Sequence, residues 1–262
     1  MIIERASVRE NRPLAEGIFQ MTMTAPAIAN ENPSPGQFLN ISVTDDWLHP
    51  LRRPMSIAGR DEDNLTIIYK LFGEGTRLLS QYASGNSLDV LGPLGNSFGT
   101  TEGTTPVLVG GGVGLAPILW LHEILQSKSV DHVTIIGARH AGEHFLKHRP
   151  DEGVILTSDD GSLGLKGTVM NPVGSVCSEL DVPKLFACGP EPMLIVVKDF
   201  AITESIAGEL SVESYMGCAT GICQGCVIER QNGAASKHSY HDRYSLVCLE
   251  GPVYNASEIC FS

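Results

Sequence analysis

The chain reads as a β + α/β protein. It should open with an antiparallel β-barrel, continue as a doubly wound parallel α/β domain, and close with a small cysteine-bearing domain. Three observations predict this. Residues 1–100 carry short segments of period-2 alternation, separated by Pro35-Gly36 and Gly92-Pro93 turns. From residue 101, buried strand-like runs alternate with helix-like ones, and a glycine run sits at the first junction. Beyond residue 208, four of the seven cysteines gather among glycines. The divisions are therefore 1–100, 101–207 and 208–262.

Elements can be assigned in order. Phe19–Thr24 and Leu39–Val43 alternate apolar with polar, as half-buried strands do, and Leu65–Leu71 and Ser87–Leu91 are further strand candidates. A short helix is expected over Thr76–Tyr82. Short strands with turn signals between them suggest a small barrel. Pro106–Val109 is then a buried strand, followed by a helix over Ala116–Gln126. His132–Ile136, Val154–Thr157 and Lys184–Cys188 repeat the buried-strand pattern, with a helix over Glu191–Ala201. Tyr244–Leu249, which holds Cys248, reads as a strand.

Composition excludes several classes. A chain of 262 residues with 42% apolar content buries a sizeable core and is not disordered. The net charge of −12 argues against nucleic acid or an anionic membrane as the main partner. Met1–Ala6 lacks the apolar core of a signal peptide. The most apolar stretch, Val107–Leu121, contains four glycines and Pro117 and stops at His122-Glu123, too short to cross a bilayer. Seven cysteines without an export signal suit a reducing cytoplasm, with thiolates used for chemistry rather than disulfides.

The cysteine spacing carries the sharpest chemical signal. Cys218-x4-Cys223-x2-Cys226, with Cys248 after 21 intervening residues, opens as plant-type [2Fe–2S] ligation does: three thiolates from one tight loop and a fourth from afar. Gly217, Gly221 and Gly225 let backbone N–H groups turn toward electron-rich sulfur. Structural zinc is the alternative for four cysteines, although zinc sites usually show two paired C-x2-C knuckles. Cys177 and Cys260 read as buried or incidental thiols.

Four upstream motifs point to nucleotides. In Arg52-Arg53-Pro54-Met55-Ser56, Arg53 offers a fixed charge to a phosphate and Ser56 a hydroxyl to a ring edge. Gly73-Glu74-Gly75-Thr76 lets backbone amides approach a pyrophosphate, though such a turn also serves simply to start a helix. Gly110-Gly111-Gly112-Val113-Gly114 lies between strand and helix, where free N–H groups favour anions; it departs from G-x-G-x-x-G and also suits a ligand-free turn. Cys188-Gly189-Pro190 ends another strand, on the edge where open α/β sheets bind ligands. Arg139 follows a strand and could meet a nucleotide phosphate.

In this order the motifs resemble the ferredoxin–NADP reductase-like superfamily, in which a barrel holds a flavin and an α/β domain a nicotinamide nucleotide. With the C-terminal cysteines added, the whole chain resembles the electron-transfer subunits of dihydroorotate dehydrogenase B. Pro35-Gly36-Gln37-Phe38, Leu91-Gly92-Pro93-Leu94-Gly95-Asn96 and Asp159-Asp160-Gly161-Ser162 support the match. The resemblance implies FAD on Arg53, Pro54, Met55, Ser56, Ile68, Tyr69, Lys70, Gly75 and Thr76. It implies NAD near Gly111, Gly112, Gly114 and Cys188, and a [2Fe–2S] cluster on Cys218, Cys223, Cys226 and Cys248. Met55 departs from the tyrosine common in the wider superfamily, which puts a stacking ring in doubt. The implied role lies in pyrimidine (UMP) biosynthesis. A separate FMN-containing catalytic chain would oxidise dihydroorotate, and electrons would pass through the cluster to FAD and on to NAD+, in a heterotetramer of two catalytic and two electron-transfer chains. The motifs would equally serve a related subunit of sulfide dehydrogenase or NADH–ferredoxin oxidoreductase type. A zinc-stabilised interaction module is the reading from another class.

Overall fold

The computed structural model describes residues 1–44, 47, 49–112, 114–231 and 243–261, so Val113 of the glycine run lies outside the described residues. Six strands close an antiparallel barrel: β1 (Ile2–Ala15), β2 (Ile18–Thr24), β3 (Phe38–Ile41), β4 (Arg53–Asp61), β5 (Asn64–Lys70) and β6 (Ser87–Leu94), in the order β1-β2-β5-β4-β3-β6. Alternation explains β5, where Leu65, Ile67 and Tyr69 are buried and the residues between them are not. It hides β1, which buries only Ala6 and Val8 and keeps a charged outer face. Two short helices decorate the barrel, α1 (Pro26–Ala29) and α2 (Glu74–Leu79). The second starts two residues before the expected Thr76, because the Thr76 hydroxyl accepts the N–H groups of Phe72 (2.9 Å) and Gly73 (3.2 Å) and so fixes the first turn around Gly73. Tyr82 lies outside the helix; its hydroxyl meets the Val43 carbonyl at 3.1 Å.

The central domain is built from β7 (Thr105–Gly111), α3 (Leu115–Ser127), β8 (Val133–Ala138), β9 (Val154–Ser158), β10 (Leu165–Lys166), α4 (Met170–Ser178), β11 (Pro183–Cys188), α5 (Glu191–Thr203) and β12 (Ala207–Ser211). Beyond it come β13 (Val227–Arg230), β14 (Tyr244–Leu246), β15 (Val253–Asn255) and β16 (Ile259–Cys260). The seven-stranded sheet runs β10-β9-β8-β7-β11-β12-β15, parallel except for β15, which pairs antiparallel with β12. β14-β13-β16 form a small antiparallel sheet. Residues 212–252 thus leave the central sheet after β12 and return to the neighbouring position in it. The strand expected over Tyr244–Leu249 ends at Leu246: Leu249 and Glu250 both turn back to the Leu246 carbonyl, at 3.0 and 2.9 Å, so Cys248 rides on a turn.

α3 is the wall between barrel and sheet. Its Trp120 and Ile124 pack into the barrel core, while Leu115, Ile118, Leu119, Leu121 and Leu125 pack against the sheet. A helix apolar on both faces is what burial on both sides demands. On the other side of the sheet, one continuous core joins Phe38, Leu91 and Leu94 of the barrel to Val107 and Leu185 and to Leu246 and Cys248. Asn96 stitches this seam. Its Nδ2 donates to the carbonyls of Glu250 (2.9 Å) and Val253 (2.8 Å), and its Oδ1 accepts the Val253 N–H at 2.8 Å. No helix among the described residues is long and apolar enough to cross a membrane.

Candidate redox site

The four cysteines meet as two pairs. Cys218 and Cys223 have their sulfurs 3.4 Å apart, and Cys226 lies against Cys248, whose N–H points at the Cys226 sulfur at 3.4 Å. The N–H groups of Thr220 and Cys223 both point at the Cys218 sulfur, each at 3.4 Å. Ala219, Gly221 and Gln224 take left-handed conformations (φ 58°, 80° and 53°), which turns the loop back on itself. Gly221 takes this conformation without steric cost, and a Cβ there would have to push aside the Leu249 side chain, 2.3 Å away. Burial opposes ionisation of Cys218, but hydrogen bonds from Thr220 and from the backbone of Cys223 and Thr220 outweigh it and bring the thiol down to about 6. Burial, and then the neighbouring Cys226 and Cys218, push Cys248 up to about 12. The pairs differ in depth: Cys226 and Cys248 are buried, Cys218 is half-buried and Cys223 exposed.

This donor set fits an iron–sulfur cluster. Two pairs of sulfurs, each approached by a backbone N–H, suit two irons. Cys177 and Cys260 stand apart. Burial pushes Cys177 up to about 11, and the Cys260 thiol donates to Gln231 at 2.8 Å.

The two adjacent arginines have different tasks. Arg52 is tied inside the barrel, donating to the carbonyls of Asn40 (3.3 Å) and Asp89 (2.9 Å) and pairing with the Asp89 carboxylate. Arg53 instead lies against α2: a Cβ on Gly75 would meet its Nε at 2.6 Å and its Cζ at 3.2 Å. The structure therefore brings Arg53 and Gly75-Thr76 together across the barrel rim, a charged cradle of the kind a flavin nucleotide's pyrophosphate needs. Pro54 and Ser56 stand opposite Asn40 and Phe38 in the β3–β4 ladder, and Met55 packs on the barrel core. Ile68 packs toward the sheet domain. The Tyr69 ring points into the barrel, stacked 5.8 Å from Phe19, with its hydroxyl on Asn11 at 2.9 Å; burial raises its pKa to about 12. That position leaves the Tyr69 backbone, not its ring, for a ligand.

The sheet order reverses between β7 and β11, which places the switch point between the glycine run and Cys188-Gly189-Pro190. The two turns are in backbone contact: a Cβ on Gly114 would lie 2.3 Å from both the Cys188 carbonyl carbon and the Gly189 nitrogen. A Cβ on Gly111 would lie 2.8 Å from Met193 Sδ, and one on Gly112, at φ 60°, 3.2 Å from Pro190 Cγ. Gly114 is also the N-cap of α3, so no side chain caps the first turn and its N–H groups remain for an anion. Cys188 is buried, and burial followed by the charge of Glu213 pushes its thiol far up. Glu213 presents surface to solvent, yet protein packs around its carboxyl closely enough that burial raises its pKa. Its place two residues beyond β12, on the same carboxyl edge as Cys188, is the positional signal that would have found it.

Glu143 is a further residue missed in the sequence. It sits buried in a single 3-10 turn, Ala141–Glu143, at the barrel–sheet junction. Its Oε1 takes Lys70 Nζ at 2.7 Å and Arg139 Nε at 3.0 Å, with Arg139 Nη2 closing the same pair. Burial opposes its ionisation, but hydrogen bonds from Arg139 and Lys70 outweigh that and hold the carboxyl down at about 2. Lys70 of the barrel and Arg139 of the sheet thus share one carboxylate.

A six-stranded barrel, a doubly wound sheet with a glycine turn at its switch point, and a cradle of paired cysteines together define a modular electron-transfer oxidoreductase. The fold agrees with solved relatives. The NADH-dependent reduced ferredoxin–NADP oxidoreductase matches with a TM-score of 0.83 and 24% identity, over 98% of this chain and 90% of that one. Phthalate dioxygenase reductase, described as a modular structure for electron transfer from pyridine nucleotides to [2Fe–2S], matches with a TM-score of 0.63 and 17% identity over 94% of each chain. The family model for the iron–sulfur cluster binding domain of dihydroorotate dehydrogenase B matches residues 213–260. The dihydroorotate dehydrogenase B (NAD(+)) electron transfer subunit of Caldanaerobacter subterraneus subsp. tengcongensis is 34% identical over 98% of both chains. That of Bacillus velezensis is 36% identical over 97% of both. The chain belongs to this family of dihydroorotate dehydrogenase B electron transfer subunits.

Proposed function

We propose that this chain links a dihydroorotate-oxidising partner to NAD+, holding a [2Fe–2S] cluster on Cys218, Cys223, Cys226 and Cys248, FAD on the barrel rim, and NAD at the switch point. The observation that carries this reading is the pairing of the four thiols, two and two, with backbone N–H groups aimed at their sulfurs. When bound, the cluster relays single electrons, and the flavin joins them into the hydride that NAD+ accepts. The chain's own residues bind and orient. Arg53, with Gly75 and Thr76, grips the flavin pyrophosphate; Pro54, Met55, Ser56, Ile68, Tyr69 and Lys70 supply the wall beside it. Gly111, Gly112 and Gly114 admit the nucleotide phosphates to the head of α3, with Cys188 beside the nicotinamide.

The partner is an FMN-containing catalytic chain, assembled two and two with this one, a reading supported by the match to electron transfer subunits of dihydroorotate dehydrogenase B. A reducing cytoplasm suits this reading, because the four ligand cysteines must stay free of disulfides. The test combines a visible spectrum with iron and sulfide analysis of anaerobically purified protein, followed by turnover assays. The expected result is flavin with iron and sulfide in equal amounts, NADH-dependent dye reduction, and no dihydroorotate oxidation by this chain alone. Dihydroorotate turnover by the pure chain, or a colourless zinc protein, would sink the proposal.

A further inference from the structure

Arg139 looks like a phosphate ligand and is not free to be one. It directly follows β8, the strand beside β7, and Gly111 of the glycine turn is in register with Gly137 just before it. A dinucleotide crossing the switch point lays one half over the ends of β7, β8 and β9. A cation at the second strand's end is what a 2′-phosphate seeks, whereas an acidic group there favours a 2′-hydroxyl. On the β11 side the described residues beside the switch point are Cys188, Ser211 and Glu213, none of them a cation, so a phosphate-bearing ribose is better served on the β8 side.

There Arg139 and Lys70 are already paired. Glu143 takes Arg139 through Nε and Nη2, accepts the Arg139 backbone N–H at 3.3 Å, and holds Lys70 at 2.7 Å. Being 5% exposed, it is held in place by its surroundings. Glu16 and Asp159 lie close enough to Arg139 to act on its charge. Asp160, beside His140, is held by the Ser162 N–H and hydroxyl at 2.9 and 2.6 Å. Arg139 thus faces three carboxylates, Glu143, Glu16 and Asp159, and Lys70 shares the first of them.

We propose that Glu143 sets nucleotide choice: by neutralising Arg139 and Lys70 it leaves a subsite that accepts the 2′-hydroxyl ribose of NAD(H) and turns away the 2′-phosphate of NADP(H). This rests on the pyridine-nucleotide reading above. Its test compares kcat/KM for NADH and NADPH, with ferricyanide as acceptor, in the wild-type holoprotein, Glu143→Gln, and Glu143→Gln/Arg139→Ala. Glu143→Gln should raise the NADPH-to-NADH ratio by about tenfold or more, the size of one charge-assisted phosphate contact. The second substitution should abolish that gain. An equal fall with both nucleotides, at an unchanged ratio, would make Glu143 a packing group and overturn the proposal. If Glu143→Gln does not fold, the surface variant Glu16→Gln/Asp159→Asn decides: a rise of about threefold in the ratio upholds it and no rise overturns it. A wild-type protein that oxidises neither nucleotide refutes the underlying reading instead.

Discussion

Replacing Gly75 with alanine should separate stability from cofactor binding, because the two respond with opposite signs. Gly75 is the second residue of α2 and its φ is not in the left-handed region, so alanine fits the backbone. Alanine loses less conformational freedom there, worth about 0.5–1 kcal/mol, or roughly 1–4 °C in Tm for a chain of this size. The new Cβ, however, would lie 2.6 Å from Arg53 Nε. That atom belongs to a flexible side chain, so Arg53 swings away at little cost to the fold. On the proposed flavin site, what is lost is a guanidinium poised for the pyrophosphate, a charge-assisted contact worth about 1.5–3 kcal/mol, or roughly 10–150-fold in Kd for FAD. The assay is FAD titration of apoprotein by quenching of flavin fluorescence, beside thermal unfolding of the same apoprotein. An unchanged FAD affinity would refute the placement of Arg53 in the flavin site. A Tm lowered by several degrees would show that the Gly75–Arg53 contact holds the fold instead.

Gly114→Ala should behave in the opposite way. Its Cβ would meet backbone atoms at 2.3 Å, which cannot step aside, so overpacking of about 3 kcal/mol or more should lower Tm, by about 6–12 °C, alongside any loss of NADH oxidation. Cys223→Ser removes the exposed ligand and should abolish partner-to-flavin transfer, with loss of cluster absorbance, while NADH-to-flavin reduction and Tm stay near wild type; equal loss of both activities would mean the cysteines hold the fold. The Glu143 bridge makes stability acid-sensitive. Because its folded pKa is depressed from 4.5 to about 2, its contribution is complete above pH 4.5 and fades as pH falls toward 2. Glu143→Gln should therefore flatten the acid limb of a Tm-versus-pH curve and change nothing in the pH dependence between 6 and 8.

The parts legible in the sequence are those governed by local rules. Cysteine spacing singled out the four thiols that the structure sets in two pairs, because a tight loop needs glycines at fixed offsets. The alternation in Phe19–Thr24 and Leu65–Leu71 and the buried run in Pro106–Val109 marked strands for the same reason. The charged outer face of β1 concealed its buried Ala6 and Val8. Glu143 left only the faint sign of a carboxylate four residues after Arg139, a spacing meaningful on a helix but here bridged by one 3-10 turn. Its other partner, Lys70, is 73 residues away. That Arg52 is bound inward while Arg53 faces α2 follows from Asp89 and Gly75, which no local pattern links to either arginine.

The return of β15 to the edge of β12 bears on how such a chain could be built or rebuilt. Ser211 pairs with Val253, so the whole cysteine-bearing excursion departs and arrives at hydrogen-bonded neighbours, about 4.8 Å apart. It is an insertion into one sheet rather than an appendage at the end of the chain. Cutting it out leaves two ends that a two-residue turn such as Asn-Gly could close, with β15 still sealing the β12 edge against unwanted pairing. The seam is thus where a different relay could be grafted, provided the graft refills the core that Leu246 and Cys248 share with Leu94 and Val107.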